Sequence, residues 1–521
     1  HLLPGATIDS FQESESGRKA DLPFTIQLDS FRIAYYPGTE APADYISYIT
    51  YSLPGQKNVL LHEQISMNRI FTSQGFRFYQ SSFDDDGKGS WLTVNYDPWG
   101  TGVTYAGYIL LGLSMIWLLF SRSSDFRRLL NHPLLKKGGV FILFIFCLAG
   151  NMQAQKKLLP ALKQTQADSL AQEQVIYHDR VVPFNTLARD FIQKLTGEAS
   201  YKGLTPEQVI GGWLLYPEVW RNEPLIYIKN TELQHLLNLQ TPYARLTDLF
   251  DGSVYRLREH WQREQGQQNK LAKAIQETDE KVGLILMLEK GTFIHPLPTD
   301  GSVQPLSELE VKAELLYNRI PFSKILFMIN LSLGVLSFLL LLHNSLQRNI
   351  LSPKAKTISR TAGTFFSVAL YLAFIFHLAG YCLRWYIGGR IPLSNGYETM
   401  QFMALCILLI ACLLHRRFSF ILPFGFLLSG FALLVSYLGQ MNPQITPLMP
   451  VLVSPWLSIH VSLIMMSYAL LAFIMLNGIL ALCLRKKESE NNVSGNDAIQ
   501  DNRIEQLTLV SRLLLYPATF F

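Results

Sequence analysis

The sequence predicts a polytopic α-helical membrane protein with an external β-rich domain and an external mainly helical domain, and three observations predict it. Of its 521 residues 49% are hydrophobic and only 16% charged, below the roughly 25% charge of soluble globular domains. The apolar residues cluster at 103 to 150 and again from 325 onward, with polar sequence before and between. Lys and Arg gather at the ends of those runs, where positive charge keeps loops on the cytoplasmic side.

The composition also excludes several classes. A net charge of +5 without a basic, aromatic-interleaved stripe gives no support for nucleic-acid binding. The five cysteines, Cys147, Cys382, Cys406, Cys412 and Cys483, all fall inside apolar runs. With no CxxC there is no support for a disulfide framework, a zinc site or a thioredoxin-like motif, and with no CxxCH the chain is not itself a c-type cytochrome. It opens on His1 and closes on the short apolar run "SRLLLYPATFF", and so reads as an internal fragment of a longer protein.

Residues 1 to 101 form the β-rich domain. Alternating stretches such as "FTIQLDSFRIAYY" and "SWLTVNY" are separated by the turn residues of "PGTEAP", "LPGQ" and "DDDGKGS". The acidic run at 84 to 87 lacks the alternate-residue spacing of a calcium loop and reads as a hairpin turn, with no metal assigned.

Residues 102 to 153 hold two apolar segments, 103 to 120 and 138 to 153, around a basic loop with Arg122, Arg127, Arg128, Lys136 and Lys137. The second has a short apolar core, but parity requires it to cross, because otherwise every later basic loop would lie outside. Residues 154 to 322 then form the second external domain. Thr205-Pro206-Glu207-Gln208 is a capping box that starts a helix, and a polar helix is expected through 254 to 288. His178, His235, His260 and His295 occur there singly, without metal-ligand spacing, and read as structural or surface residues.

Residues 323 to 521 carry apolar segments at 325 to 342, 361 to 383, 399 to 414, 418 to 438 and 456 to 484, and the chain's eighth apolar segment begins near 505. The loops with Arg348, Lys354, Lys356 and Arg360, with Arg416 and Arg417, and with Arg485, Lys486 and Lys487 read as cytoplasmic. Loops 384 to 398, with only Arg384 and Arg390, and 439 to 455, with no basic residue, read as external.

A histidine inside hydrocarbon needs a partner. His460 lies at the external start of the last complete segment, four residues after Trp456 and so on the same helical face. That segment, about 43 Å long, exceeds the roughly 30 Å hydrocarbon core, so its first turns can stand in the interface. His377, Tyr381 and Arg384 form a polar stripe at i, i+4 and i+7, open to helix-to-helix bonding or to an amphipathic ligand. His343 and His415 sit beside basic residues, and charge anchoring explains them. An external pocket of aromatics, one imidazole and an arginine suits haem, with the imidazole on iron and the arginine on a propionate. Composition alone does not separate haem from a quinone or a lipid.

Two sets of motifs carry a family resemblance. "LRWYIGGRIPLSNGYETMQF" followed by "WLSIHVSLIMMSYALLAF" resembles the core of the CcsA (ResC) family. "LPFTIQLDSFRIAYYPG" and "SSFDDDGKGSWLTVNYDPWGTGVTYAGY" resemble CcsB (ResB). Their order in one chain resembles the fused CcsBA cytochrome c synthases of System II, over most of the chain and most weakly over 154 to 322.

The resemblance implies a holocytochrome c synthase, or haem lyase, of the bacterial inner membrane with its soluble parts on the periplasmic side. Haem b is then both bound ligand and substrate, moved outward and joined to the CxxCH of secreted apocytochrome c. Thiol-reducing periplasmic proteins and the lipid bilayer are the other implied partners. His460, at the WLxxH position, is implied to be one of two external histidines on haem iron beside a tryptophan-rich loop. Trp456 is then a covering aromatic, and Arg384, Trp385, Asn395, Tyr397, Glu398 and His377 are pocket neighbours. The chain departs from the full pattern: its eight tryptophans are scattered, with no WGxxWxWD-like cluster and no second external histidine on the later helices. Those features are expected beyond Phe521, and the haem-binding histidine of the first CcsB helices before His1.

No catalytic nucleophile is implied, since the substrate peptide brings the thiols and the cofactor carries the reaction. Two other classes remain: a transporter for haem or another amphipathic molecule without ligation chemistry, and a non-catalytic assembly scaffold. The nearly apolar cytoplasmic half argues against the first, and the second leaves His460 and Arg384 without a role.

Overall fold

The computed structural model describes residues 1–12, 18–35, 41–53, 56–84, 86–121, 124–130, 159–252, 254–258, 260, 269–299, 301, 303–346, 353–438, 441, 443–484 and 495–521. It divides into two compact units. One comprises 1–35, 41–145 and 321–521, the other 36–40 and 146–320.

The first unit begins with seven strands: β1 (Thr7–Gln12), β2 (Lys19–Tyr35), β3 (Pro42–Leu53), β4 (Gln56–Ser66), β5 (Phe71–Ser73), β6 (Phe76–Phe83) and β7 (Ser90–Tyr96). They pair antiparallel in two sheets, β1-β2-β3-β4 and β5-β6-β7. The period of two in β2 turns Leu22, Phe24, Ile26 and Leu28 to one face, where they are buried with Ile49, Ile65, Phe71, Phe76 and Phe78. Phe24 meets the edges of Phe71, Phe76 and Phe78 at centroid separations of 6.3, 6.1 and 6.1 Å. A buried polar link also ties the sheets: Ser47 on β3 donates to Gln80 Oε1 at 2.6 Å and lies 2.8 Å from the Ser90 hydroxyl. Gln74 and Gly75, at φ of 52° and 85°, make the tight turn between β5 and β6.

A single residue, Asp97, separates β7 from helix α1 (Pro98–Phe120). Its carboxylate accepts from Gly100 N at 2.8 Å, and Pro98 follows in the first turn, so sheet and helix join through a cap. A short helix, α2 (Asp125–Leu130), follows in the basic loop. The segment expected at 138 to 153 lies outside the described residues.

In the second unit, after a short helix at Gln164–Leu170, comes a hairpin, β8 (Gln174–Tyr177) and β9 (Arg180–Pro183), followed by α3 (Phe184–Thr196) and α4 (Pro206–Leu215). On α3 the buried residues Phe184, Leu187, Ala188, Phe191, Ile192 and Leu195 recur at helical spacing. The capping box forms as read, with Gln208 N donating to Thr205 Oγ and Thr205 N to Gln208 Oε1. The polar helix differs from expectation. It is α5 (Lys270–Glu289), capped by Asn269, while Val254–Tyr255 pairs as a strand with Phe250–Asp251 and 261–268 lies outside the described residues. Helix α6 (Glu308–Arg319) returns Glu314 to Arg180 and Thr186. Beneath α4, Trp213 and Trp220 are fully buried 6.2 Å apart. Trp213 Nε1 and both Arg221 Nε and Nη2 donate to the Glu289 carboxylate.

The first unit resumes with α7 (Phe322–Leu346), α8 (Pro353–Gly388), α9 (Gly396–Leu414), α10 (Ile421–Leu438), α11 (Pro455–Leu484) and α12 (Gly495–Phe520). Each of the first five extends the apolar run by its capping or polar end turns, apart from α10, which starts three residues later. Helix α12 begins ten residues before the expected start, because its first turns are polar. Among the described residues six helices, α1 and α7 to α11, are long and apolar enough to cross a membrane. This is a polytopic membrane protein with a β-rich N-terminal part and helical parts.

Close packing in the bundle uses small residues, as lipid-embedded helices do. A Cβ on Gly430 of α10 would lie 2.8 Å from Leu331 of α7, and one on Gly425 would lie 2.3 Å from Ala411 Cβ of α9. Asn330 Nδ2 donates to Ser429 Oγ at 3.0 Å and Gln401 Nε2 to Ser436 Oγ at 3.2 Å, so buried polar groups also join helices.

Phe24→Ala should cost the β-rich part about 3–5 kcal/mol, seen as faster amide exchange along β2 and β3 by two orders of magnitude or more. The Glu289 carboxyl offers a pH test. Burial raises it, but the hydrogen bonds from Arg221 and Trp213 and the charge of Arg221 outweigh burial, and the net shift is downward from 4.5. A depressed carboxyl contributes stability that is present above its unfolded pKa and lost as pH falls through the folded one. Glu289→Gln should therefore lower the thermal midpoint of this unit at pH 7 and flatten its decline below about pH 4.5.

Candidate functional site

The end of α8 that carries His377, Tyr381 and Arg384 faces the start of α9. His377 is buried, and its Nε2 lies 2.8 Å from the Gln401 carbonyl. A carbonyl only accepts, so that nitrogen carries the proton. The Tyr381 hydroxyl donates to Pro392 O at 3.2 Å.

One turn further, Arg384 is 2% exposed and meets Glu398, 1% exposed. Its Nε and Nη2 donate to Glu398 Oε1 at 3.0 and 2.8 Å. Its Nη1 donates to Pro443 O at 2.7 Å, Nη2 also to Gln444 O at 3.0 Å, and the guanidinium lies 5.1 Å from the Tyr397 ring centroid. Arg390 donates to Glu398 Oε2 and to Thr446 O, each at 3.0 Å.

Local sequence explains why a carboxylate is tolerated here. In "SNGYE" the Asn395 side chain accepts from Glu398 N at 2.9 Å, making Asn395 the N-cap of α9 and placing Glu398 in its first turn. Glu398 Oε2 reaches back to the Ser394 amide and hydroxyl at 2.9 and 2.7 Å. Two guanidinium groups, two Ser394 donors and the positive end of a helix thus converge on one buried carboxylate. Tyr397 shares a hydrogen bond with Ser323 of α7 at 2.8 Å.

The arginines also hold the loop between α10 and α11 by its carbonyls. That loop passes through a short 3-10 turn at Pro450–Leu452 and enters α11 at Pro455. In the first turns of α11, Trp456 is 79% exposed, and His460 is exposed with no hydrogen-bond partner among the described residues. Met449, Val453 and Ile459 are exposed beside them in sequence.

Of the residues singled out from sequence, Arg384, Asn395, Tyr397 and Glu398 are brought together. His377 sits next to them against Gln401. Trp385 is half exposed, and no hydrogen bond or ring contact among the described residues joins His460 or Trp456 to the cluster. His415 is buried, with Nε2 3.0 Å from the Tyr371 hydroxyl, a partner that charge anchoring did not anticipate. Arg390, Ser394 and the loop carbonyls escaped the sequence reading. The cap "SNGYE", with a carboxylate three residues after Asn395, is the signal that could have found Ser394.

Glu398→Gln keeps the shape but leaves the buried Arg384 and the partly buried Arg390 without their counter-charge. It should cost about 3–5 kcal/mol, read as a lowered thermal midpoint of the detergent-solubilised chain.

With this geometry in view, residues 4–104 match the ResB-like family and residues 393–516 match the Cytochrome C assembly protein family. Protein NrfI of Wolinella succinogenes is 31% identical over 526 aligned positions, covering 86% of this chain and 57% of that protein. The cytochrome c biogenesis protein CcsA of Chlamydomonas reinhardtii is 34% identical over 132 positions, 22% of this chain and 37% of its own. CcsA of Prochlorococcus marinus is 38% identical over 94 positions, 17% of this chain and 30% of its own. The chain thus spans little more than half of NrfI. It carries in one polypeptide a match to the ResB-like family followed by a match to the Cytochrome C assembly protein family.

Proposed function

We propose that the chain acts in cytochrome c biogenesis by holding haem b at the external face of the bacterial inner membrane for attachment to the CxxCH of apocytochrome c. The observation that carries this reading is His460, exposed and unbonded among the described residues, on the same face of α11 as the exposed Trp456, within the cytochrome c assembly segment. His377, Tyr381, Arg384 and Glu398 nearby are bonded to fixed partners, so an imidazole left open at a helix mouth suits a ligand that comes and goes.

His460 would supply an axial nitrogen to the iron, Trp456 would cover a ring face, and Trp385 would add aromatic surface. Haem supplies the vinyl groups to which cysteine thiols add. The protein's own residues orient it and leave one face open to an unfolded peptide. Arg384, Tyr397, Glu398 and His377 serve this site by holding the loop and helix ends around it. Apocytochrome c is the partner at that open face, and thiol-reducing periplasmic proteins would keep its cysteines available. Ligation activity makes the chain part of a haem lyase. Transport of haem without ligation would leave haem bound while no cytochrome is matured.

The test is the absorption spectrum of the purified, dithionite-reduced protein, wild type beside His460→Ala, each with and without imidazole, alongside a cytochrome maturation assay. Loss of the haem signal and of maturation in the variant, with recovery by imidazole, is the expected result. Unchanged haem and maturation would return His460 to a structural role.

A further inference from the structure

The loop from 441 to 454 contains no charged residue and carries Pro443, Pro447 and Pro450, which lack amide hydrogens. What it offers to the rest of the protein is mainly carbonyl oxygens, so the residues that fix it must be donors. Arg384 and Arg390 fix its first half at Pro443, Gln444 and Thr446. Ile445 packs beside Gly388, where an added Cβ would come within 3.3 Å.

A third donor comes from the β-rich part. Between β4 and β5, Ser66 and Arg69 exchange backbone hydrogen bonds at 2.9 and 3.2 Å, which closes a tight turn with Met67 and Asn68 at its tip. Arg69 pairs with Glu63 at 3.0 Å and steadies that turn. Asn68 Nδ2 donates to Pro450 O at 2.8 Å. Pro450 is the first residue of the 3-10 turn, which is closed by Leu452 N on Met449 O at 2.9 Å and Val453 N on Pro450 O at 3.2 Å. Two residues after Val453, α11 begins, and His460 lies in its second turn.

We propose that Asn68 is a positioning residue: the β4–β5 turn of the ResB-like part clasps Pro450, fixing the turn that launches α11 and so aiming Trp456 and His460. The loop is thereby held at two points, one by the membrane helices and one by the β-rich part, with the stiff Pro447 between them. Carbonyl acceptance explains why a carboxamide serves here, since a carboxylate at position 68 would have nothing to donate. For its consequence at haem the proposal rests on the function read for His460, whereas the contact itself does not.

The test is amide exchange of the full chain in detergent, read by mass spectrometry on wild type, Asn68→Ala and Asn68→Gln, with reduced spectra of the same haem-loaded samples. Asn68→Ala should raise exchange at Leu452 and Val453 about fivefold, leave β2 and β3 at wild-type rates, and lower the haem absorbance in a way that imidazole restores. Asn68→Gln, which keeps the donor, should recover part of both. Unchanged exchange at Leu452 and Val453 overturns the proposal, and so does an equal rise through β2 and β3, which would make Asn68 a residue of the sheets' own stability. If His460→Ala leaves haem unaffected while Asn68→Ala still loosens the turn, the haem reading fails and the clasp stands.

Discussion

The buried carboxylate of Glu398 is the interaction on which the candidate site depends. An isolated carboxylate would not stay charged in so dry a place, so its burial commits the surroundings to supplying donors. Arginine suits the task better than lysine, because its planar fork can serve a carboxylate and neighbouring carbonyls at once. Arg384 uses that geometry fully, reaching Glu398 with two nitrogens and Pro443 and Gln444 with the outer ones. The end of α8, the start of α9 and the loop before α11 are therefore joined through one charged centre.

The polar residues near this end of the bundle divide by how far their bonding is satisfied. His377, Tyr381, Arg384 and Glu398 are buried and bonded to fixed partners. Trp385, Trp456 and His460 are exposed. A site that accepts and releases a large flat cofactor needs both kinds: groups whose loss would collapse the mouth, and groups whose only cost of engagement is leaving solvent or lipid.

The sequence made the broad architecture legible because hydrocarbon enforces long apolar runs and sheet burial enforces alternation. The runs at α7 to α11 and the alternation of Leu22, Phe24, Ile26 and Leu28 are direct imprints of those constraints. Arg384, Tyr397 and Glu398 could be grouped because they are near in sequence. The role of Arg384 and Arg390 as a clasp was not legible, since the acceptors are backbone carbonyls at 443, 444 and 446, and a carbonyl carries no residue identity. Asn68 was hidden for the same reason, with 382 residues separating it from Pro450. The polar helix was drawn too early because a run of charged and glutamine residues has helical propensity throughout, and only the Asn269 cap marks where the helix begins.

The junction at Asp97 has a mechanical consequence. With one residue between β7 and α1, and that residue's side chain spent on capping the helix, there is no swivel between the sheet and a helix long enough to cross a membrane. Rotation of α1 about its axis, or a change in its tilt, must be passed to β5-β6-β7 as torque rather than absorbed in a linker. Through the polar link among Ser47, Gln80 and Ser90, that torque reaches the other sheet, whose β4 runs into the turn bearing Asn68. The β-rich part and α1 are thus coupled as a lever whose fulcrum is Asp97.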